Sequence, residues 1–153
     1  MKIKDKLCLS VATLFGVGYT PLLPGTAASL VAVIIFILVK NFSYFFGFTV
    51  FSVVISFLCC GRAEKIFGQK DCKKIVIDDF SGMLITLLWI PKKVEFIVAG
   101  FFLFRMVDII KMPPADKIEK CTGSKGVVGD DIVAGIYANI ILHLARLALK
   151  IFS

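Results

Sequence analysis

Long uncharged apolar stretches alternate with short charged segments along the chain. Residues 7–39 contain no charged side chain, and residues 41–61 form a second uncharged stretch whose length fits the about 20 residues of a transmembrane helix. Shorter apolar segments follow at 80–90, 96–104 and 132–145. Strand-like alternation is nowhere long enough to compete with helices. The pattern predicts an all-α, multihelical bundle embedded in a membrane, formed by a single domain over residues 1–153.

The first apolar stretch is interrupted by the segment Thr20-Pro21-Leu22-Leu23-Pro24-Gly25-Thr26, which no continuous helix accommodates. We expect a helical or interfacial segment at 7–18, an irregular loop at 19–26 and a helix at 27–39. The basic N-terminus followed by an apolar stretch also resembles a signal peptide, with 26–28 as a poor cleavage site. Because the apolar stretch continues past that point, a retained segment is the better interpretation.

Basic residues indicate which side of the membrane each connection occupies. Lysines precede the first apolar stretch, and residues 62–74 are rich in Lys and Arg, so the positive-inside rule places both on the cytoplasmic side. The two agree if 27–39 and 41–61 form a hairpin with Lys40 at the outer turn. Residues 105–130 are polar and contain several Pro and Gly, which predicts a loop. Whether 80–104 crosses the membrane stays open.

Composition narrows the class of protein further. Hydrophobic residues make up 58% of the chain, and the formal net charge is +7. So much apolar surface cannot be buried in one small globule, and the basic excess suits an anionic membrane rather than nucleic acid. A zinc site built on several histidines is excluded because His143 is the single histidine, and we expect it to be a packed helix residue.

Five of the eleven acidic residues lie beside apolar segments. They form two pairs and one single site: Asp78-Asp79, Asp108 and Asp130-Asp131. Carboxylates near a membrane segment are costly and therefore suggest function, and carboxylate oxygens are the ligands that magnesium prefers. Helix capping is the alternative, with one pair at a helix beginning near 80 and the other at a helix beginning near 132. The repeated arrangement favours a metal site.

Two further segments have the chemistry to hold a phosphate. Arg105, Asp108 and Lys111 recur at every third position and share a face if the segment is helical, which suits phosphate binding or, equally, a salt bridge between Arg105 and Asp108. The segment containing Thr26 and Ser29 leads into a helix whose N-terminal amides could bind an anion. A turn capped by Thr26 is the simpler interpretation of that segment alone.

Several phosphatase mechanisms are excluded by what the chain lacks. No cysteine is followed by arginine six positions later, no Asp-x-Asp pair is present, and a second histidine is missing. The glycine-rich segment 123–129 lacks the spacing of a P-loop. Its glycines more plausibly allow close backbone approach or position Asp130. Metal-activated water is the phosphatase chemistry that remains.

Four motifs in order resemble the phosphatidylglycerophosphatase A family. They span roughly residues 12–135: Thr20-Pro21-x-x-Pro24-Gly25-Thr26-x-x-Ser29, Asp78-Asp79-Phe80-x-Gly82-Met83-x-Ile85-Thr86, Phe104-Arg105-x-x-Asp108-x-x-Lys111-x-x-Pro114, and Gly123-x-x-Gly126-x-x-x-Asp130-Asp131-Ile132-x-Ala134-Gly135. The family usually has Asp-Glu where this chain has Asp78-Asp79, and Gly-Gly where it has Gly123-Ser124. None of these departures removes a charged group.

The resemblance implies a magnesium-dependent hydrolase of the bacterial inner membrane that converts phosphatidylglycerophosphate, an anionic phospholipid, to phosphatidylglycerol and inorganic phosphate. The predicted topology puts the four motifs, and so the active site, at the cytoplasmic surface. The expected metal ligands are Asp78, Asp79, Asp130 and Asp131. Asp108, Arg105 and Lys111 are the expected catalytic residues, and Gly25, Thr26 and Ser29 join Arg105 and Lys111 in binding substrate. No protein partner is implied.

Two alternatives to this function stay open at this point. The first is a phosphatase of another lipid phosphate, such as phosphatidate or a prenyl phosphate. The second is a non-catalytic membrane transport subunit, whose charges would form a path through the membrane. The acids cluster at segment ends instead, which disfavours the second alternative.

Overall fold

The computed structural model describes residues 3–69, 72–110, 113, 118 and 124–152, with the backbone alone for Ser124, Lys125 and Phe152. Within that part the chain forms six α-helices, one short 3₁₀ turn (Val17–Tyr19) and no strand, so the predicted all-α class is confirmed. The helices are α1 (Ile3–Ala12), α2 (Pro24–Leu38), α3 (Phe42–Phe67), α4 (Ile77–Thr86), α5 (Val94–Ile110) and α6 (Ser124–Phe152).

The helix boundaries differ from the predicted ones where proline or charge misled the prediction. Helix α2 begins at Pro24 rather than at residue 27, because proline at the first helical position loses no hydrogen bond and has a suitable φ. The polar segment 105–130 is not a loop throughout, since α5 continues to Ile110 and α6 begins at Ser124. The charged residues Arg105, Asp108 and Asp130 are helical, and their side chains line a polar cavity.

Helix α4 is the short central element of the fold. It packs against α2, α3, α5 and α6, and most of its residues are buried. A hydroxyl cluster fixes it against α3: Ser81 shares hydrogen bonds of 2.8 Å with both Ser52 and Ser56, and Ser81 also donates to the Ile77 carbonyl. Hydrogen bonds of this kind offset the cost of burying the hydroxyl groups.

Two glycines let α4 and α6 cross with their backbones in contact. A Cβ at Gly82 would lie 2.7 Å from the Asp131 carbonyl oxygen, and a Cβ at Gly135 would overlap the Gly82 carbonyl. Thr86 Oγ1 donates to the Gly82 carbonyl at 3.0 Å and reaches the Gly135 carbonyl at 3.4 Å. Small residues are what membrane helices use for such close approach, and here they set the register of α4 against α6.

The connection between α4 and α5 lies at the same end of the bundle as the connection between α2 and α3. Lys92 donates to the Ile37 and Val39 carbonyls at the end of α2. The Trp89 ring lies 5.0 Å from the ring of Phe42, at the start of α3. The 80–104 segment therefore reaches as far through the bundle as the hairpin formed by α2 and α3.

Two helices are long and apolar enough to cross a membrane. These are Phe42–Phe67 in α3 and Gly126–Ile151 in α6, and α2 is a shorter apolar helix. Only 28% and 22% of the two apolar windows are buried inside the protein, unlike the core helix of a soluble protein. Their remaining surface is apolar and exposed, which suits contact with lipid.

Candidate active site

A polar cavity of about 340 Å³ opens where the ends of four helices meet. Its walls come from the N-terminus of α2, the first turn of α4, the last turns of α5 and the first turns of α6. Five carboxylates line it: Asp78, Asp79, Asp108, Asp130 and Asp131. The structure thus brings all five aspartates that the sequence singled out to one place.

The crossing of α4 and α6 explains why two acidic segments far apart in sequence meet. Asp78 lies one helical turn before Gly82, and Asp131 lies one turn before Gly135. Because the glycines hold the two backbones together, the turn preceding each glycine is also adjacent to its partner. Carboxylate oxygens of Asp78, Asp79 and Asp131 consequently lie within 4.8 Å of one another. That separation allows all three to ligate one cation.

Neither acidic pair provides the N-cap residue of its helix. Asp130 and Asp131 lie well inside α6, which begins at Ser124, so neither is an N-cap. Asp78 and Asp79 occupy the first turn of α4 after Val76, which makes no side-chain cap. Asp78 Oδ1 does accept a hydrogen bond from the Asp79 amide at 3.0 Å, which is a contact within the first turn of α4.

Burial and mutual repulsion destabilise the charged forms of these acids. Asp78 is 6% exposed, and its pKa is raised well above the ordinary aspartate value, first by burial and then by the neighbouring Asp79 carboxylate. Burial also raises the pKa of Asp79 to about 6, although the charge of Arg105 opposes this shift. Such a cluster is stable as carboxylates only when positive charge offsets it, and a hard cation fits the all-oxygen donor set.

Asp130 borders the same cavity but adopts a different local arrangement. Its Oδ1 accepts a hydrogen bond from the Asp131 amide at 3.1 Å, and it lies outside the closest group of three carboxylates. The carboxylate is 9% exposed and adds negative charge to the wall. Asp130 therefore lies beside the group of three carboxylates without belonging to it.

Arg105 is held between two carboxylates. Its Nη1 donates to Asp79 Oδ1 in a very short contact and lies 3.1 Å from Asp108 Oδ2. The predicted salt bridge between Arg105 and Asp108 is therefore present, and it is part of the cavity wall rather than an alternative to it. A guanidinium has five N–H donors, so the two carboxylates fix its orientation while leaving donors for an anion.

The N-terminus of α2 supplies amide groups to the same cavity. Gly25 and Thr26 line it, and their N–H groups have no partner within the helix because the first helical bond runs from Ala27 to Leu23. A Cβ at Gly25 would overlap the Asp79 carboxyl group, so only glycine allows this close approach. The helix N-terminus is suited to an anion.

Ser29 does not contact the cavity, contrary to the predicted role in substrate binding. Its side chain is fully buried, and its hydroxyl donates to the Gly25 carbonyl at 3.0 Å. Serine in a helix commonly bonds the carbonyl four residues earlier. Ser29 therefore stabilises the first turn of α2, and its predicted role in substrate binding stays a prediction.

Two predicted positions, Lys111 and Gly123, lie outside the described residues. His143 lies far along α6, where Nε2 donates to the Leu88 carbonyl at 3.2 Å, in agreement with the expected packed role. Sequence reasoning missed Lys73, which lines the cavity. Its place in the basic segment before Asp78 was the available signal, but that segment was interpreted only through membrane topology.

The rim of the cavity is apolar. Leu22 is 86% exposed and Leu23 is 64% exposed, and both line the opening together with Ile109. Exposed leucines beside a cluster of buried acids are unusual on a water-facing surface. They suit a ligand with a polar end for the cavity and an apolar end that remains in the bilayer.

Comparison with known proteins identifies the family. Residues 10–146 match the model of the family described as phosphatidylglycerophosphatase A. A protein of Bacteroides thetaiotaomicron named putative phosphatidylinositol-3-phosphatase is 34% identical, over 95% of this chain and 98% of its own. Phosphatidylglycerophosphatase A of Escherichia coli K12 is 34% identical over 84% of this chain and 77% of its own.

A third relative, phosphatidylglycerophosphatase A of Haemophilus influenzae, is 33% identical over 84% of this chain and 82% of its own. No solved structure matches the chain. The family match covers all five cavity aspartates and Arg105, which removes the non-catalytic transport alternative. The chain therefore belongs to the phosphatidylglycerophosphatase A family and is a lipid phosphatase.

Proposed function

We propose that the enzyme hydrolyses phosphatidylglycerophosphate to phosphatidylglycerol and inorganic phosphate, with magnesium as its cofactor. The observation that carries this proposal is the group formed by Asp78, Asp79 and Asp131, which lies in one cavity with Arg105 and the N-terminus of α2. Oxygen ligands for a hard cation thus lie beside donors for a phosphate. Two of the named relatives are described as acting on this lipid.

The donor set fits magnesium. Asp78, Asp79 and Asp131 are the proposed direct ligands, and Asp130 joins them either directly or through water, since magnesium usually keeps several of its waters. When bound, the ion would polarise the phosphoryl oxygens and make a bound water more acidic. It would also offset the repulsion that the buried carboxylates otherwise experience.

The phosphate is held by the cationic and amide groups around the acids. Arg105, already oriented by Asp79 and Asp108, directs its remaining N–H donors at the phosphoryl oxygens and stabilises the charge that they carry during transfer. The Gly25 and Thr26 amides bind another face of the group. Lys111 contributes a second cation in this proposal, as the family resemblance implies.

Asp108 is proposed to orient the attacking water. It lines the cavity on α5, beside Asp131 of α6, and its Oδ2 is held by Arg105 at 3.1 Å. The other carboxylate oxygen can accept a proton from water in the cavity. This places the proton acceptor and the phosphate-binding guanidinium on the same helical turn, so that they move together.

The apolar rim of the cavity and the basic residues before α4 support a place in the bacterial inner membrane with the cavity facing the cytoplasm. Arg62, Lys65, Lys73 and Lys74 lie on the segment that leads to the first turn of α4, at the cavity end, which the positive-inside rule assigns to the cytoplasm. With α3 and α6 as spans, the Leu22 and Leu23 rim lies at the interface, where a phospholipid headgroup enters from the bilayer.

A phosphoinositide phosphatase is the second candidate. The Bacteroides thetaiotaomicron relative, whose alignment covers 95% of this chain, is named putative phosphatidylinositol-3-phosphatase. Phosphatidylglycerophosphate and phosphatidylinositol 3-phosphate share a terminal phosphomonoester separated from the lipid by a phosphodiester. The site must therefore be tested with both lipids, and with phosphatidate, which has the monoester alone.

The test is phosphate release from each lipid by purified enzyme in detergent, with and without magnesium. We expect release from phosphatidylglycerophosphate only with magnesium, and loss of that release in Asp131→Asn. Asp5→Asn is the matched control, because Asp5 lies on α1 and pairs with Arg62. No release under either condition would overturn the function, and preference for phosphatidylinositol 3-phosphate would establish the second candidate. Near-normal activity of Asp131→Asn would overturn the metal site.

A further inference from the structure

We propose that Lys73 binds the phosphodiester of the lipid headgroup while the terminal monoester occupies the acidic part of the cavity. The inference rests on the proposed function and extends it, because it divides the cavity into two phosphate subsites. Lys73 lines the cavity, yet it belongs to none of the motifs that carry the family resemblance. It would decide which lipid phosphates are accepted rather than perform the hydrolysis.

The backbone around Lys73 is fixed, so the lysine has a defined starting point. The segment from Cys72 to Val76 is buried on both sides of the two lysines. The Val76 amide donates to the Ala12 carbonyl at 2.9 Å, and the Ile75 amide donates to the Cys72 carbonyl at 2.8 Å. A Cβ at Gly18 would overlap the Lys74 carbonyl. The 3₁₀ turn thus holds the segment against the first turn of α4.

The two neighbouring lysines have different surroundings. Lys74 Nζ lies over the ring of Tyr19 at 5.4 Å and near the ring of Phe67 at 5.7 Å, so cation–π attraction retains it there. Lys73 is exposed and forms no ion pair with a residue that the structure describes. Its ammonium group is therefore available for an anion, whereas that of Lys74 is engaged away from the cavity.

The charges around the cavity give Lys73 a task that Arg105 does not fill. Among the described side chains that line the cavity, five carboxylates face two cations, Arg105 and Lys73. Arg105 is paired with both Asp79 and Asp108, in the part of the cavity where metal and monoester would lie. A second phosphate beside so many carboxylates would be repelled unless a separate cation met it, and Lys73 is the described cation that remains.

The headgroup chemistry requires such a second site. A phosphodiester carries one negative charge and two free oxygens and lies between the terminal monoester and the acyl chains. With the monoester among the acids and the acyl chains beyond the Leu22 and Leu23 rim, the diester must lie between these two regions. A lysine binds phosphate as a flexible point charge, which suits an anion held near the opening.

Product inhibition separates the two subsites, since phosphatidylglycerol keeps only the diester and inorganic phosphate resembles only the monoester. The inhibition constants of dihexanoyl phosphatidylglycerol and of inorganic phosphate are measured against phosphatidylglycerophosphate hydrolysis for the unaltered enzyme, Lys73→Met and Lys74→Met. In Lys73→Met we expect about a tenfold weaker inhibition by phosphatidylglycerol, the size of one lost charged hydrogen bond. Inhibition by inorganic phosphate should be unchanged, and Lys74→Met should match the unaltered enzyme in both.

The possible results distinguish this inference from the function beneath it. Normal hydrolysis together with equal inhibition by phosphatidylglycerol in both variants would overturn the assignment of Lys73 and leave the function standing. An unaltered enzyme that phosphatidylglycerol does not inhibit would also overturn it. Weaker inhibition by both products in Lys73→Met would mean that they share one phosphate site, which would overturn the division into two subsites. Absence of hydrolysis by the unaltered enzyme would remove the proposed function and this inference with it.

Discussion

The polar groups at the two ends of α4 have opposite surroundings, although α6 packs against both ends. At the C-terminal end, α6 supplies donors: Asn139 Nδ2 donates to the Thr86 carbonyl at 3.0 Å and to the Leu88 carbonyl at 2.8 Å, and His143 also reaches Leu88. At the N-terminal end, α6 supplies Asp131, a third carboxylate beside Asp78 and Asp79. At the C-terminal end the carbonyl groups have hydrogen-bond donors, whereas at the N-terminal end like charges lie together.

The difference separates structure from function on a single pair of helices. Carbonyls left unpaired at a buried helix end would cost free energy, and α6 satisfies them. Three adjacent buried carboxylates also cost free energy, yet α6 increases that cost. Packing alone gives no reason to add a third carboxylate beside Asp78 and Asp79. The acidic end is therefore where a bound cation would offset a cost that packing leaves in place.

Neutralising one acid at the N-terminal end should have the largest effect. In Asp78→Asn we expect phosphate release to fall by at least about 100-fold, the effect of removing one group that stabilises charge in the transition state. Stability without metal should rise or stay unchanged, because the pKa of Asp78 is raised by burial and by Asp79, so the change removes repulsion. Initial rates and thermal unfolding measure the two quantities. A destabilised but fully active variant would contradict the comparison.

Magnesium should stabilise the protein through the acidic end alone. A ligand that binds only the folded state at about 100 times its Kd adds about 2.7 kcal/mol. We therefore expect a magnesium-dependent rise in Tm for the unaltered protein and for Asp5→Asn, and little or none for Asp131→Asn. The measurement needs no substrate. An equal rise in all three proteins would place the magnesium elsewhere.

At the C-terminal end, removing a donor should reduce stability and spare activity. Asn139→Leu keeps a similar volume but loses the hydrogen bonds to the Thr86 and Leu88 carbonyls, at a cost of about 2 kcal/mol. Activity per folded molecule should stay within about twofold, since neither carbonyl lies near the cavity. Denaturant unfolding and initial rates check both statements. Leu144→Ala, at a 60% exposed position of α6, serves as the control for a substitution elsewhere on the same helix.

The sequence predicted the acidic end better than the fold around it. Charges are rare in so apolar a chain, so Asp78, Asp131 and Arg105 stood out without any structure. In the structure, glycines bring the two helices together. Asp78 precedes Gly82 by four positions, and Asp131 precedes Gly135 by four positions. That spacing is visible in the sequence, but only a structure shows that the two glycines face each other.

The C-terminal end could not be predicted because its residues have no distinctive pattern. Asn139 and Arg146 are ordinary polar residues of a long helix, and their partners are backbone carbonyls, which every residue possesses. Helix ends failed for a related reason: Pro24 and the polar residues of 105–110 signal interruption locally, while their tertiary surroundings make them helical. Ser29 was assigned to the site because its motif was considered without its helical hydrogen bond to Gly25.

The smallest effect is expected for Arg146, an arginine beside the C-terminal end of α4, and it can be compared with the effect for Arg105 beside the N-terminal end. Arg146 is exposed, and its Nη1 donates to the Trp89 carbonyl at 3.3 Å, so Arg146→Ala should change stability by no more than about 0.5 kcal/mol and leave hydrolysis unchanged. Arg105→Ala should instead lower kcat/KM by about 100-fold, because Arg105 combines two carboxylate contacts with the proposed phosphate contact. Parallel rates and unfolding curves decide the matter. If Arg146→Ala impaired hydrolysis as strongly as Arg105→Ala, the two ends of α4 would not be functionally distinct, and the division between a satisfied end and a catalytic end would fail.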